Sequence, residues 1–139
     1  MFETLTSYIP KIRDIDYGEW VIDRENDGTP ERPIQFPFVA YTQVVSEFED
    51  TVYRFIKEYQ DMELNRYGDI LSAASIEWGT KSMEGANVGD LDGTTIMALI
   101  VGAIRAERFC DGALIGFFES GCILKWLLRL QEIDASTES

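Results

Sequence analysis

Residues Gly93–Cys110 read GTTIMALIVGAIRAERFC, and no charged side chain occurs among them before Arg105. Placed on a helix of 3.6 residues per turn, these apolar side chains leave no polar face, so the spacing predicts a helix buried nearly all round. Such a helix needs other elements on every side. The chain is 139 residues long, enough for one domain with a single core and no disulfide or metal staple.

The neighbouring segments supply the packing partners. Beyond Asp111 the apolar character continues, broken by Gly112 and Gly121, which sit where left-handed caps would end two successive helices. A final helix then runs from Cys122 to about Ile133, apolar except for a Lys125, Arg129, Glu132 stripe, and the tail 134–139 reads as frayed. Upstream, Tyr41, Val44, Val45, Phe48, Val52, Phe55, Ile56 and Tyr59 follow the helical period, with Asp50 and Arg54 spaced to pair on the opposite face. A second amphipathic stretch runs from about Asp61 to Trp78. The glycine-rich GTKSMEGANVGDLDG after it reads as a loop.

Residues 1–36 read as an irregular acidic front. Leu5, Tyr8, Ile9 and Ile12 predict a short helix weakened by Pro10. The run EWVID (19–23), the turn formers of NDGTPERP and then IQF (34–36) predict a small hairpin or extended loop. The fold class is therefore mostly α: a compact multi-helix single domain, with a helical core over 37–133 and a small extended or hairpin element near the N-terminus.

Charge excludes several functions. The net charge is −13, and Asp14 to Glu31 alone holds seven acidic residues against Arg24. Phosphate contacts and anionic lipid both require a basic surface, so neither a nucleic-acid partner nor a membrane is expected. The opening MFETLTSYIPKIRD lacks a basic stretch followed by an apolar run, and the longest apolar segments are too short to span a bilayer. Cys110 and Cys122 match neither a redox motif nor a zinc-ligand pair. The expected location is the cytoplasm.

Catalysis is constrained by composition as well. The chain has no histidine, which removes Ser-His-Asp and Cys-His nucleophiles, imidazole bases and His-ligated metals. Glu77, Glu84, Asp90 and Asp92 are carboxylates that could serve as acid or base, but in so acidic a chain they read as solvated surface. NVGDLDGTT resembles the middle of a calcium loop, yet positions one and twelve of that motif fall on Val88 and Leu99, which cannot ligate calcium. Asp92 or Thr94 as the N-cap of the following helix is the better account. The glycines there lack both the P-loop lysine and the dinucleotide spacing. No metal and no cofactor is expected, and no catalytic residue is assigned. Both cysteines read as inert, Cys110 as a buried thiol.

One constellation stands out in the apolar C-terminal third: Arg105, Glu107, Arg108 and Asp111. Charges are rarely buried without partners, so the cluster is either a structural ion-pair network or the polar floor of a site. If the helix continues through it, Arg105, Arg108 and Asp111 share a face as an ion-pair line, and Glu107 points away toward a helix bearing Lys125 and Arg129. On that structural reading Arg108→Ala costs roughly 3 kcal/mol or more; arginines lining a ligand site would leave the melting temperature almost unaltered. Small residues also recur four apart, as Ala98, Gly102, Ala106 and as Gly112, Gly116, Ser120. That spacing makes a groove for close approach, either between helices of one chain or at the seam of a homodimer.

FPFVAY (36–41) before the long helix, RAERFCDG (105–112), the Ser120–Gly121 pair and LLRL (127–130) together resemble a bacterial and archaeal family, domain of unknown function 6508. The resemblance runs from about Trp20 to Leu130 and is most specific at Arg105, Glu107, Arg108, Phe109, Asp111 and Gly112. It implies one coherent domain and supplies no activity. From the residues themselves, the leading expectation is a non-enzymatic interaction or accessory module engaging a basic protein partner, with DNA mimicry a special case. The alternative is a small-molecule-binding protein or enzyme in which an arginine of the cluster holds an anion and a carboxylate acts as base.

Overall fold

The computed structural model describes residues 1–13, 17–21, 38–110 and 112–137. Its centre is the helix that the sequence places there. α6, Gly93–Ala106, buries every residue from Ile96 to Ile104, so its walls must come from other elements. They do: α4 (Tyr67–Ala73), α7 (Ala113–Glu119) and α8 (Cys122–Thr137) all pack against it.

Around this axis the remaining elements close one core. α3, Gln43–Glu58, buries Val45, Phe48, Val52, Phe55 and Ile56 along one stripe, the face its periodicity predicts. Phe48 joins α3 to the N-terminal turns and to α7, meeting Tyr8 edge-on at 5.5 Å and Phe118 at 5.9 Å. The predicted N-terminal helix is two single turns, α1 (Glu3–Thr6) and α2 (Ile9–Ile12), and Pro10 is accommodated because it stands in the first turn of α2, where no intrahelical N–H is lost. Their apolar residues Phe2, Leu5, Ile9 and Ile12 are buried.

The extended element is an antiparallel pair, β1 (Gly18–Val21) with β2 (Phe38–Tyr41), in register from Gly18 opposite Tyr41 to Val21 opposite Phe38. The first strand overlaps the predicted EWVID run at Glu19–Val21 and begins one residue earlier, at Gly18. The second does not fall on IQF (34–36), which lies outside the described residues together with most of the acidic front. Instead Phe38–Tyr41 forms it, taking Tyr41 out of the long helix to which its spacing assigned it. Asp50 and Arg54 form no ion pair, consistent with the small gain such exposed pairs offer.

Three further boundaries differ from expectation for identifiable backbone reasons. Residues 61–78 are not one helix: Glu63 takes φ 52° between two 3₁₀ turns, Gln60–Met62 and Leu64–Arg66, before α4 begins. α4 closes in a Schellman arrangement, with Ser75 N donating to Ser72 O and Ile76 N to Leu71 O, while Ser75 adopts φ 61°. The glycine-rich loop contains a short helix, α5 (Thr80–Glu84), because Met83 is fully buried and anchors it. α8 runs to Thr137, four residues beyond the expected end, and Asp134 within the supposed tail accepts from Phe2 N at 2.9 Å. Asp92 does cap α6, accepting from Thr95 N at 2.9 Å.

Gly112 and Gly121 adopt φ 90° and 84°; Gly121 follows the end of α7 as its predicted capping position requires, whereas Gly112 is the N-cap of α7 and not the C-terminal cap expected of it, because α6 has already ended at Ala106. A Cβ on Gly121 would meet nothing within 4 Å, so only backbone strain opposes a side chain there. Two opposite outcomes follow. Gly121→Ala is expected to lower stability by about 1–2 kcal/mol, whereas Ser75→Gly, which relieves the same strain at the end of α4, is expected to raise it by about 1 kcal/mol. Chemical denaturation of both variants is the check, and effects of the same sign would contradict the assignment.

Candidate functional site

α6 stops at Ala106, four residues earlier than the periodicity predicts, and this changes the geometry of the signature cluster. Glu107, Arg108 and Phe109 donate their N–H groups to Ile104 O, Arg105 O and Ala106 O, so the helix tightens into i to i−3 turns and then ends. Arg105 and Arg108 therefore do not continue a common α-helical face. Arg105 leans across to α3, its guanidinium 5.4 Å from the centroid of the Tyr53 ring. Arg108 is exposed and, among the described residues, makes no ion pair. Asp111 lies outside the described residues, so the expected Arg105–Arg108–Asp111 line has no structural counterpart to report.

Glu107 is the member of the cluster that is built in, and its partners are not Lys125 or Arg129. Lys125 donates to Glu84 O at 3.2 Å, and Arg129 reaches Leu91 O and the Glu132 carboxylate. The Glu107 carboxylate instead meets the start of α7: Gly112 N lies 3.0 Å from each of its oxygens and Leu114 N lies 3.1 Å from Oε1. Tyr41, at the end of β2, donates its hydroxyl to the same Oε1 at 2.6 Å and in turn accepts from Ile115 N at 3.1 Å. Ala113 N finds Cys110 O at 3.1 Å. Every N–H of the first turn of α7 thus has an acceptor, and a carboxylate sits at the positive end of its dipole.

The same junction perturbs its titratable neighbours. Burial, reinforced by the hydrogen bond to the Glu107 carboxylate and by its charge, pushes the Tyr41 phenol above its ordinary value. Tyr41 therefore stays a donor throughout the range in which proteins are folded. Glu49, half-buried on α3, is raised first by burial and then by the Glu107 and Asp50 carboxylates. With its donors already engaged, Glu107 is a brace between strand, helix end and helix start. A carboxylate so saturated is poorly placed to take a proton from a substrate.

Beside Arg108, the turn after α6 also exposes an apolar side chain. Phe109 is 76% exposed and Trp78 42%, and their rings meet edge-on at 5.4 Å. They border a groove of about 390 Å³ whose floor includes Met83, Gly116 and Phe117. Trp78 is held from behind, donating Nε1 to Gly102 O at 3.0 Å and meeting Tyr67 edge-on at 5.8 Å. Cys110 also lines the groove and is exposed, which corrects its reading as a buried thiol; Cys122 is the buried one. The reason is the early end of α6, which turns Cys110 off the helix.

The two small-residue rows separate on inspection. Ala98 is fully buried, and a Cβ on Gly102 would stand 3.2 Å from Met83 Cε and 3.3 Å from Trp78 Cδ1, so the first row serves packing within the chain. Among the described residues nothing lies within 4 Å of a Cβ placed on Gly116. Sequence reasoning had both rows but no means of separating them. It missed Tyr41 and Trp78, whose partners lie 66 and 24 residues away; no local spacing signals either contact.

The fold and site define a helical domain with one strand pair, in which a half-buried carboxylate serves a helix junction. The chain belongs to a family of unknown function, DUF6508, whose model matches residues 2–136. No curated protein and no solved structure matches it. No helix among the described residues is long and apolar enough to cross a membrane.

Glu107→Ala is expected to destabilise the fold by roughly 2–4 kcal/mol, since it strands part-buried donors of α7 and the Tyr41 hydroxyl. Arg108→Ala should stay within about 0.5 kcal/mol of wild type, as an exposed side chain does, and not show the roughly 3 kcal/mol of a broken buried pair. Equal melting losses for the two would contradict this division. Glu49 gives a separate test. Its raised folded pKa means the native state holds the proton more tightly than the unfolded chain, so stability falls as pH rises from about 4.3 through the folded value. Glu49→Gln should therefore melt higher than wild type at pH 7 and lose that advantage below about pH 4; a lower melting temperature at pH 7 would count against it.

Proposed function

We propose that this chain is a non-enzymatic cytoplasmic interaction module, whose acidic surface draws a basic protein partner. The observation that carries this reading is the saturation of Glu107: the carboxylate best placed to act as a base in the arginine cluster is engaged by Tyr41 and by the N–H groups of Gly112 and Leu114. Arg108, the cluster's other cation, is exposed. The enzyme or small-molecule alternative needs both a free carboxylate and an enclosing site.

Charge supplies the direction of the partner. At −13 the chain generates a field that accelerates encounter with a cationic protein and repels anionic ones. DNA mimicry is the special case in which that partner normally holds nucleic acid. The free thiols of Cys110 and Cys122 support a reducing compartment.

The test begins with proteins retained on the immobilised chain and continues with each purified candidate. Expected is a cationic protein whose association rate falls as salt is raised and falls stepwise as Asp23, Glu25, Asp27 and Glu31 are changed to Asn or Gln. Binding that ignores both salt and these substitutions would overturn the electrostatic reading. A metabolite co-purifying with the chain and lost in Arg108→Ala would favour the ligand-binding alternative instead.

A further inference from the structure

The Lys125, Arg129, Glu132 stripe of α8 loses its expected role once Glu107 turns to α7. All three residues line another groove, of about 390 Å³, between α8 and the 3₁₀ turn Val88–Asp90. The apolar part of its lining is Val88, Leu124 and Leu128, each partly buried against the core. The groove thus joins a charged edge to an apolar floor.

Positive charge at that edge is held in place without being neutralised. Lys125 donates to Glu84 O, at the last residue of α5, at 3.2 Å, and Arg129 donates Nε and Nη2 to Leu91 O at 3.4 and 3.3 Å. A carbonyl satisfies a donor and leaves its charge. Among the described residues the one carboxylate of the lining is Glu132, 3.3 Å from Arg129 Nη1 and 69% exposed. Two cations against that carboxylate leave the lining one positive charge in excess, on a chain whose net charge is −13. Like charges at i and i+4 repel, so an anion between Lys125 and Arg129 relieves a repulsion that the lining leaves standing. Donors remain for it: among the described residues, one of the three N–H groups of Lys125 and three of the five of Arg129 find acceptors. Because the carbonyls already fix both side chains, gripping an anion orders little further.

We infer that this groove binds a small organic monoanion, its carboxylate between Lys125 and Arg129 and its aliphatic body against Val88, Leu124 and Leu128. One positive charge in excess matches one carboxylate and falls short of a phosphate dianion. An apolar lining with a few fixed polar groups is also the usual make-up of a small-molecule site. The site stands apart from the Glu107 junction, goes beyond the proposed basic partner and does not depend on it.

Titration of the full chain with isovalerate, followed by amide NMR, is the experiment. Isoamyl alcohol, which keeps the body without the charge, and inorganic phosphate, which keeps charge without the body, are the controls. Isovalerate is expected to bind saturably at millimolar concentration or below, with shifts centred on Val88, Gly89 and Leu128, and each control to bind at least tenfold more weakly. Lys125→Gln and Arg129→Gln should each weaken isovalerate at least fivefold. Since those side chains also tether Glu84 and Leu91, Glu132→Gln provides the arm that spares the fold. It removes only the exposed carboxylate that competes for Arg129, so melting should match wild type while isovalerate binds severalfold more tightly. The absence of saturable binding overturns the inference, as do shifts centred elsewhere or weaker binding in Glu132→Gln. Equal binding of the alcohol would remove the role of the cations, and equal binding of phosphate that of the apolar floor; either result contradicts the assignment.

Discussion

A single carboxylate joins three pieces of chain that are far apart in sequence. Glu107 ends α6, receives the first turn of α7, and is gripped by Tyr41 from β2. α7 has only seven residues, too few to hold itself in water, where isolated helices of that length are marginal. Its stability must come from packing and from how completely its ends are satisfied. The Glu107 brace provides the second, and by doing so fixes where Leu114, Phe117 and Phe118 enter the core.

The same brace shapes the surface. Turning the chain back toward α7 requires α6 to stop at Ala106, and the tight turns that follow carry Arg108, Phe109 and Cys110 outward. An apolar side chain is exposed as a consequence of a polar one being satisfied. Trp78, tied to Gly102 O, supplies the other wall. Stability at the junction and availability of the groove therefore have one origin, and a substitution that loosens Glu107 should disturb both.

Much of the fold was legible because it is periodic. α3 and α6 follow from apolar spacing alone, Asp92 from its place before an apolar run, and Gly112 and Gly121 from the left-handed conformation only glycine adopts cheaply. The errors lie where a long-range contact overrides a local pattern. Tyr41 fits the period of α3 but is claimed by Glu107; Arg108 fits a helical face that no longer exists once α6 ends; Met83 anchors a helix in a segment rich in glycine. Within the charged cluster, Glu107 was expected to face the helix bearing Lys125 and Arg129, and it faces the Tyr41 hydroxyl and the N–H groups of Gly112 and Leu114 instead. The cluster's arginines were given the structural role that belongs to Glu107, because nothing local distinguishes a carboxylate facing a cation from one facing backbone N–H groups.

Amide hydrogen exchange at the start of α7 tests the brace most directly. First-turn N–H groups of a helix lack intrahelical acceptors and, left to water, exchange quickly. Here Leu114 and Ile115 should be protected in the wild-type protein, and Tyr41→Phe should release Ile115 in particular, since it removes that amide's acceptor while leaving Glu107 on Gly112 and Leu114. Fast exchange of Leu114 and Ile115 in the wild type, with the rest of α7 protected, would contradict the claim that Glu107 and Tyr41 hold this junction.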